Sequence, residues 1–196
     1  MIKAKNRRMK TETLVLAALM TALVVVFQCL ATYTTFFGPF STAIGLIPIV
    51  IGAAMCGPLV GAWLGFVFAI VVILTGGASL FFIFSIHGTI ITVLAKGIAC
   101  GFVSGLVYKL LIKFNKTVSA VSAAIVCPIV NTGIFLLGSW IFFMPYANEI
   151  ANMLGMQESG FGVFIALAFG NFLFEIGMNA VLSPVIVRIL EMRKNK

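Results

Sequence analysis

Residues 43–75 read AIGLIPIVIGAAMCGPLVGAWLGFVFAIVVILT, and the number of membrane crossings depends on how this segment is divided. It holds no charged residue, and roughly 20 apolar residues cross ~30 Å of hydrocarbon. As one helix the segment would be about 50 Å long, too long for a single crossing. Proline disfavours helix at the residue before it, and glycine relaxes the backbone, so the Gly57-Pro58 pair is the natural break. We predict two short helices that meet there.

The rest of the chain also has the composition of a membrane protein. Of its 196 residues, 62% are hydrophobic and 9% are charged, whereas soluble domains carry roughly 25% charged residues. Further uncharged runs cover residues 14–38 and 118–147. The first run exceeds the roughly 7–15 residue core of a cleavable signal peptide, so we expect a retained helix. The chain is predicted to be a multi-pass protein of the cell membrane, with one transmembrane domain over residues 1–196.

Basic residues predict the topology. The thirteen Lys and Arg residues, which give a net charge of +8, fall mainly into clusters at residues 3–10, 109–116 and 188–196. Such clusters beside membrane helices favour the cytoplasm, and neighbouring clusters on one side require an even number of crossings between them. Division of residues 43–75 into two helices at Gly57 gives an even number of crossings between the first two clusters, so both can lie on the cytoplasmic side. Because the basic residues flank apolar segments and form no single basic face, no nucleic-acid partner is expected.

We therefore predict an all-α bundle of six transmembrane helices with both termini cytoplasmic. The helices are expected near residues 12–34, 42–56, 58–75, 82–112, 118–146 and 160–190. Residues 1–11 and 191–196 form basic cytoplasmic segments in this scheme. The outer loops are expected at residues 35–41, 76–81 and 145–159, and none of the three contains Lys or Arg.

Small residues recur every four positions on three of the predicted helices. Lipid gives helices no hydrophobic reward for meeting, so close packing there depends on small side chains. The three sets are Gly57, Gly61 and Gly65; Gly97, Gly101 and Gly105; and Ala18 and Ala22. We expect the glycine sets to pack inside the bundle. The alanine pair is compatible either with internal packing or with an external docking face.

Ionisable residues at membrane depth mark the candidate site. Lys96 and Glu175 each lie thirteen residues before a basic residue at the predicted cytoplasmic end, so they share a depth. A charge there needs a partner, a watery cavity or a ligand. The two residues form either a structural ion pair or part of a solute site. The neighbouring polar candidates are Asn131, Asn171, Asn179, His87, Thr89 and Thr92.

We expect Lys96, Asn131, Asn171 and Glu175 to converge on one pocket, with His87 and Asn179 as further substrate-binding candidates. No phosphate loop, H-E-x-x-H or G-x-S-x-G motif is present, and the four cysteines lie singly. We therefore predict a binding subunit with no catalytic residues, no metal site and no cofactor.

Five segments, in this order and spacing, carry a resemblance to a known family. They are LVLAALMTALVVVF (14–27), LIPIVIGAAMCGPLVGAWLGFVFAI (46–70), LAKGIACGFVSGLVYKLL (94–111), NTGIFLLG (131–138) and GNFLFEIGMNAVLSPVI (170–186). With them the chain resembles the substrate-binding (S) subunits of energy-coupling-factor (ECF) vitamin transporters. The resemblance implies a subunit that binds a vitamin or related micronutrient from outside. It also implies docking, through Ala18 and Ala22, on a transmembrane coupling protein that carries two ATPase subunits.

Within that family, NTGIFLLG and the spacing from Asn171 to Glu175 are most similar to the pantothenate-specific members, whose ligand has a carboxylate, hydroxyls and an amide. Lys96 stands where many relatives have arginine. The lysine ammonium attracts a carboxylate as a point charge, whereas an arginine guanidinium would bind it through two parallel hydrogen bonds. Riboflavin and folate specificity remain alternatives. Outside the family, two readings stay open: a self-sufficient secondary transporter coupled through Lys96 and Glu175, and an accessory membrane subunit without a ligand.

Overall fold

The computed structural model describes residues 11–33, 45–157 and 159–192, and no β-strand occurs in these ranges. The helices are α1 (Thr11–Tyr33), α2 (Leu46–Cys56), α3 (Pro58–Leu74), α4 (Ser79–Phe84), α5 (Ile86–Leu111), α6 (Lys116–Gly138), α7 (Ala147–Leu154) and α8 (Gly162–Met192). A π-helical turn (Ser139–Phe143) and a 3₁₀ turn (Met144–Tyr146) connect α6 to α7. The predicted loop at 35–41, the basic segment up to residue 10 and the last four residues lie outside the described residues.

Several of these helices suit a membrane. Four helical stretches, at Thr11–Thr32, Ile86–Leu111, Lys116–Leu154 and Gly162–Asn179, are long and apolar enough to cross one, while α2 and α3 are apolar but shorter. The chain is thus an all-helical membrane protein in its described part. Six crossings and cytoplasmic termini stay predictions. We call the end of the bundle at which α1, α3 and α6 finish the distal end, and the end with Lys109 and Lys116 the basic end.

The break between α2 and α3 lies where it was predicted. Gly57 has a φ of 98°, a backbone conformation that side chains other than hydrogen rarely allow. Pro58 follows as the first residue of α3, where its missing N–H leaves no helical hydrogen bond unmade. The two-helix interpretation of residues 43–75 is confirmed, with α2 beginning at Leu46.

The glycine sets hold α3 against α5. A Cβ atom added at Gly65 would collide with the carbonyl of Gly97, and one added at Gly61 would collide with the carbonyl of Gly101. Nearer the basic end, a Cβ at Gly105 would meet the backbone of Pro58 at 2.8 Å. The expected internal packing is confirmed for these glycines and not for Gly57, where an added Cβ would meet nothing within 4 Å. This close packing of α3 on α5 determines the rotation of α5 about its axis, and therefore the direction in which Lys96 projects.

Helix α2 forms the centre of the bundle and is short. All residues from Leu46 to Ala53 are buried, and α2 contacts α1, α3, α5, α6 and α8. Its 11 residues span about 16 Å, roughly half of the ~30 Å hydrocarbon layer. Gly45, just before α2, packs on Phe68, which lies six residues before the end of α3. Helix α2 therefore begins about 9 Å below the distal end of α3.

The helix predicted over residues 82–112 is corrected by the structure. It is divided into α4 and α5, because Ser85 adopts an extended conformation with φ −155° and ψ 105°. The Ser85 hydroxyl accepts a hydrogen bond from the amide of Gly88 at 3.2 Å, which caps the start of α5. The predicted loop at 76–81 consequently ends inside a short helix, α4.

A second correction concerns the chain between α6 and α8. The predicted helix at 118–146 is regular only as far as Gly138, where the π-helical turn begins. The predicted loop at 145–159 contains α7, which ends at Leu154 and is followed by Gly155 in the left-handed conformation with φ 64°. Ile150 and its neighbours bury the apolar face of α7, and this tertiary packing makes the segment helical.

Candidate functional site

A buried carboxylate joins α6 to α8 at the centre of the candidate site. Glu175 and Asn131 are each 2% exposed. The Asn131 Nδ2 donates to both oxygens of the Glu175 carboxylate at 3.3 Å, and Asn171 Nδ2 donates to Oε1 at 2.9 Å. Asn171 precedes Glu175 by about one helical turn, so both lie on the same face of α8. Three of the predicted site residues are therefore in direct contact.

Asn179 extends this polar face toward the basic end. Its side chain is buried and donates to the backbone carbonyl of Glu175 at 2.9 Å, so it does not contact the carboxylate. Within the described part of the chain, the Oδ1 atoms of Asn131, Asn171 and Asn179 are buried and accept no hydrogen bond. Each therefore retains the capacity to accept one.

Lys96 approaches the same region from α5 and is partly buried. Its Nζ lies 5.6 Å from the ring centroid of Phe135 on α6, within the range of a cation–π contact. No ion pair within 4.0 Å joins Lys96 to Glu175 in the structure as described, although the two charges attract one another over a longer distance. The direct structural ion pair considered from the sequence is not formed.

A small cavity of about 40 Å³ adjoins Lys96. Its lining residues are Val72, Gly77, Ala78, Phe81, Thr89, Thr92, Val93, Lys96, Phe135 and Phe143. Thr89 donates to the carbonyl of Ser85 at 2.7 Å. The Thr92 hydroxyl, in contrast, is buried without a partner among the described residues. The cavity is thus lined mainly by apolar side chains, with one ammonium and one available hydroxyl.

His87 lies apart from this cavity. It is exposed in the first turn of α5, toward the distal end, and is not among the residues that line the space beside Lys96. Thr132 also faces elsewhere, because it lines an apolar groove of about 260 Å³ between α6 and α8. A contact between His87 and a solute stays a prediction.

The sequence interpretation missed several residues around Lys96. Phe135 follows Asn131 by four positions, and this helical spacing would have placed both on one face. Phe143 reaches the cavity only because the π-helical turn changes the register after Gly138, and no periodicity in the sequence indicates that turn. Ser139 in the same turn is fully buried, and its hydroxyl has no partner in the described part of the chain.

The alanine pair of α1 faces away from the bundle. Ala18 and Ala22 are both exposed, as are their larger neighbours Leu19 and Val26, at 53% and 51%. The opposite face of α1 carries buried residues such as Val24. This arrangement leaves the alanines free to contact either lipid or a helix of a partner protein.

Together these side chains provide one cation, one carboxylate held by amide donors, and several unused acceptors in a largely apolar setting. Comparison with protein families shows that the model of the ECF transporter substrate-specific component matches residues 12–187. No curated protein and no solved structure matches the chain significantly. Because the match covers nearly the whole chain, including every residue of the candidate site, the chain belongs to the family of ECF transporter substrate-specific components.

Proposed function

We propose that this chain captures a small micronutrient with a carboxylate, pantothenate being the favoured substrate, for an ATPase-driven coupling module. As a family member it is a membrane-bound, substrate-binding transport subunit. One observation supports the carboxylate. Glu175 already accepts hydrogen bonds from two asparagines, whereas Lys96 has the Phe135 ring beside it and no carboxylate within 4.0 Å among the described residues.

The cost of burying Lys96 favours a ligand as its partner. A lysine at membrane depth costs about 2.5–3.5 kcal/mol on insertion scales. A cation–π contact with Phe135 stabilises the ammonium by roughly 0.5–2 kcal/mol, which is less than the cost of burying it. A solute carboxylate beside Nζ would neutralise the buried charge of Lys96. Because this carboxylate lies outside the Glu175 cluster, the hydrogen bonds from the asparagines to Glu175 stay in place.

Neutral groups on α5, α6 and α8 suit the remainder of pantothenate. Thr92 lines the cavity beside Lys96, whereas Asn131 and Asn171 belong to the Glu175 cluster and do not line that cavity. Pantothenate has an amide and two hydroxyls in addition to its carboxylate, so it offers several donors. The unused oxygens of Asn131 and Asn171 accept hydrogen bonds, and the Thr92 hydroxyl both donates and accepts. These residues lie on three different helices, α5, α6 and α8, which is how a site in a helical bundle surrounds a small solute.

The cavity size implies movement on binding. Ligand pockets typically have volumes of ~300–1,000 Å³, so a space of about 40 Å³ is too small for a vitamin. Entry of a vitamin therefore requires the elements lining the cavity to separate. Phe81 of α4 and Phe143 of the π-helical turn contact one another at the distal end, with ring centroids 5.0 Å apart. We propose that this end faces outward, since the basic residues gather at the other.

Ala18 and Ala22 are proposed to form the docking face for the coupling protein. Their exposure on α1 offers a face on which a helix of the coupling protein packs closely, because only small side chains permit such an approach. The solute site and this face lie on different sides of the bundle, so solute binding and docking are separable by mutation.

Binding measurements on the purified subunit test the substrate class. Lys96→Met is expected to weaken pantothenate binding by more than about tenfold, because the carboxylate loses its counter-ion. Lys96→Arg keeps the charge and is expected to retain binding. Lys109→Met, an exposed lysine at the basic end, is the matched control and should bind normally. An unchanged dissociation constant for folded Lys96→Met would falsify the counter-ion role.

Mass spectrometry of the solute that co-purifies with the subunit tests its identity. Pantothenate is expected, whereas riboflavin or folate would correct the substrate within the same family. Uptake into liposomes distinguishes the mode of transport. Accumulation by the chain alone, without a coupling module, would replace the proposal with a secondary transporter.

A further inference from the structure

Gln28 on α1 is a fully buried amide in apolar surroundings. It lies on the inward face with Met20, Val24 and Ala31, and its exposed fraction is 0%. Neither its Nε2 nor its Oε1 has a hydrogen-bond partner among the described residues. A buried amide without hydrogen-bond partners lowers the stability of the empty protein, and a ligand group that pairs with it would remove that cost.

The side chain of Gln28 points at the start of α2. A Cβ atom added at Gly45, the residue before α2, would lie 3.2 Å from Gln28 Oε1. No side chain caps this helix, and the amides of Leu46 and Ile47 donate no hydrogen bond within the described ranges. Pro48, the third residue of α2, has no amide hydrogen. Unpaired amides at a helix start carry partial positive charge and attract oxygen atoms.

This position lies at the depth of Lys96. Gly65 of α3 packs on Gly97, next to Lys96, and Phe68 contacts Gly45 only three residues further along α3. Three helical residues correspond to about 4.5 Å. The start of α2 is therefore within one helical turn of the depth of Lys96, although neither Gln28 nor a residue of α2 lines the cavity beside Lys96. Helix starts at such depth are typical of solute sites in transporters.

We infer that Gln28 and the amides of Leu46 and Ile47 form a second polar subsite, which binds an uncharged hydroxyl or amide group of the transported solute. The inference rests on the proposed function, in which Lys96 holds the carboxylate. A glutamine both donates and accepts, as a hydroxyl requires, and the helix amides donate to the same oxygen. Gln28 supplies no positive charge, so the subsite suits a neutral group. It contributes to solute selection from α1, a helix that carries none of the other proposed solute contacts.

Replacement of Gln28 by leucine tests this subsite. The compounds are pantothenate and panthenol, which has an alcohol in place of the carboxylate and the same hydroxyls. Gln28→Leu is expected to weaken binding of both by about tenfold, since a polar contact is lost in either case. Lys96→Met should weaken pantothenate alone. Gln28→Leu should also raise the melting temperature of the empty subunit, because leucine suits the apolar surroundings.

Ser104→Ala is the matched control for a buried polar residue. The Ser104 hydroxyl donates to the carbonyl of Ala123 at 3.0 Å, nearer the basic end. Its loss should lower the melting temperature and leave both affinities unchanged. Equal affinities of Gln28→Leu and wild type for both compounds would overturn the inference, whatever the melting temperatures show.

A cysteine experiment separates this inference from the choice of substrate. If the wild type binds neither compound, the pantothenate proposal fails, and accessibility then decides on Gln28. In a cysteine-free variant purified in detergent, Gln28→Cys should react with a small methanethiosulfonate, while Val24→Cys, buried one turn nearer the basic end, should not. Labelling at 28 alone supports a solute-accessible subsite. An unreactive Gln28→Cys overturns it.

Discussion

Asn131 on α6 holds the carboxylate of Glu175 on α8 with its Nδ2 at 3.3 Å from both oxygens. Nothing else described at the candidate site links these two helices by side-chain hydrogen bonds. A buried carboxylate without donors is strongly destabilising, so this amide contributes to folding as well as to the site.

The first prediction concerns that link. Asn131→Leu is expected to lower the melting temperature of the purified subunit by several degrees and to weaken solute binding, because hydrogen bonds to a charged group each contribute about 1.5–3 kcal/mol. Thr132→Val is the control, since Thr132 lines the separate groove between α6 and α8. Thermal unfolding in detergent measures the effect. Equal melting temperatures for Asn131→Leu and wild type would show that the link contributes nothing.

The glycine contacts between α3 and α5 predict a large effect from one methyl group. Gly65→Ala places a Cβ against the carbonyl of Gly97, so the helices must separate, and we expect poor folding or a loss of more than ~2 kcal/mol. Gly133→Ala is the matched control, because a Cβ there meets nothing within 4 Å. It should be neutral or slightly stabilising. Equal stability of the two variants, measured by unfolding, contradicts the close backbone contact.

The exposed alanines predict a separation of docking from binding. Ala18→Trp should block assembly with the coupling module and abolish uptake, while the isolated subunit binds solute with an affinity within about twofold of wild type. Ile91→Trp, at another exposed position, on α5, should affect neither. Co-purification with the coupling protein and calorimetry measure the two properties. Lost solute binding with intact assembly in Ala18→Trp would show that the face is internal.

The topology prediction is tested by labelling in intact cells. Phe114 lies at the basic end between α5 and α6 and is 85% exposed, and Met153 lies on α7 and is 58% exposed. On a cysteine-free background, an impermeant reagent added outside should label Met153→Cys and spare Phe114→Cys, because basic loops stay cytoplasmic. Labelling of Phe114→Cys would contradict the six-helix arrangement.

Local sequence signals predicted the helices well where one residue type has a strong conformational effect. Gly57-Pro58 marked the boundary between α2 and α3, and the glycine repeats marked the faces that meet between α3 and α5. Helix ends were less predictable. Ser85 is a residue type that favours helix starts, but the uninterrupted apolar run around it favoured one continuous helix over residues 82–112, and the structure uses Ser85 as a cap.

At the candidate site, spacing predicted the shared face of Asn171 and Glu175, and the bond between them is present. Spacing also suggested a direct pair between Lys96 and Glu175, which the described structure does not contain. Equal depth in the membrane does not determine whether two side chains on different helices meet, since rotation about each helix axis decides that.

The sequence by itself determined that this chain belongs in a membrane, where its charges lie along each helix and which residues share a helical face, because composition and a 3.6-residue period depend only on neighbours along the chain. Only the tertiary structure decided that Asn131 is a partner of Glu175, that Lys96 lies against Phe135, and that Gln28 reaches the start of α2. Those relationships depend on how helices from distant parts of the chain pack, and the packing follows from the shapes of all facing side chains together.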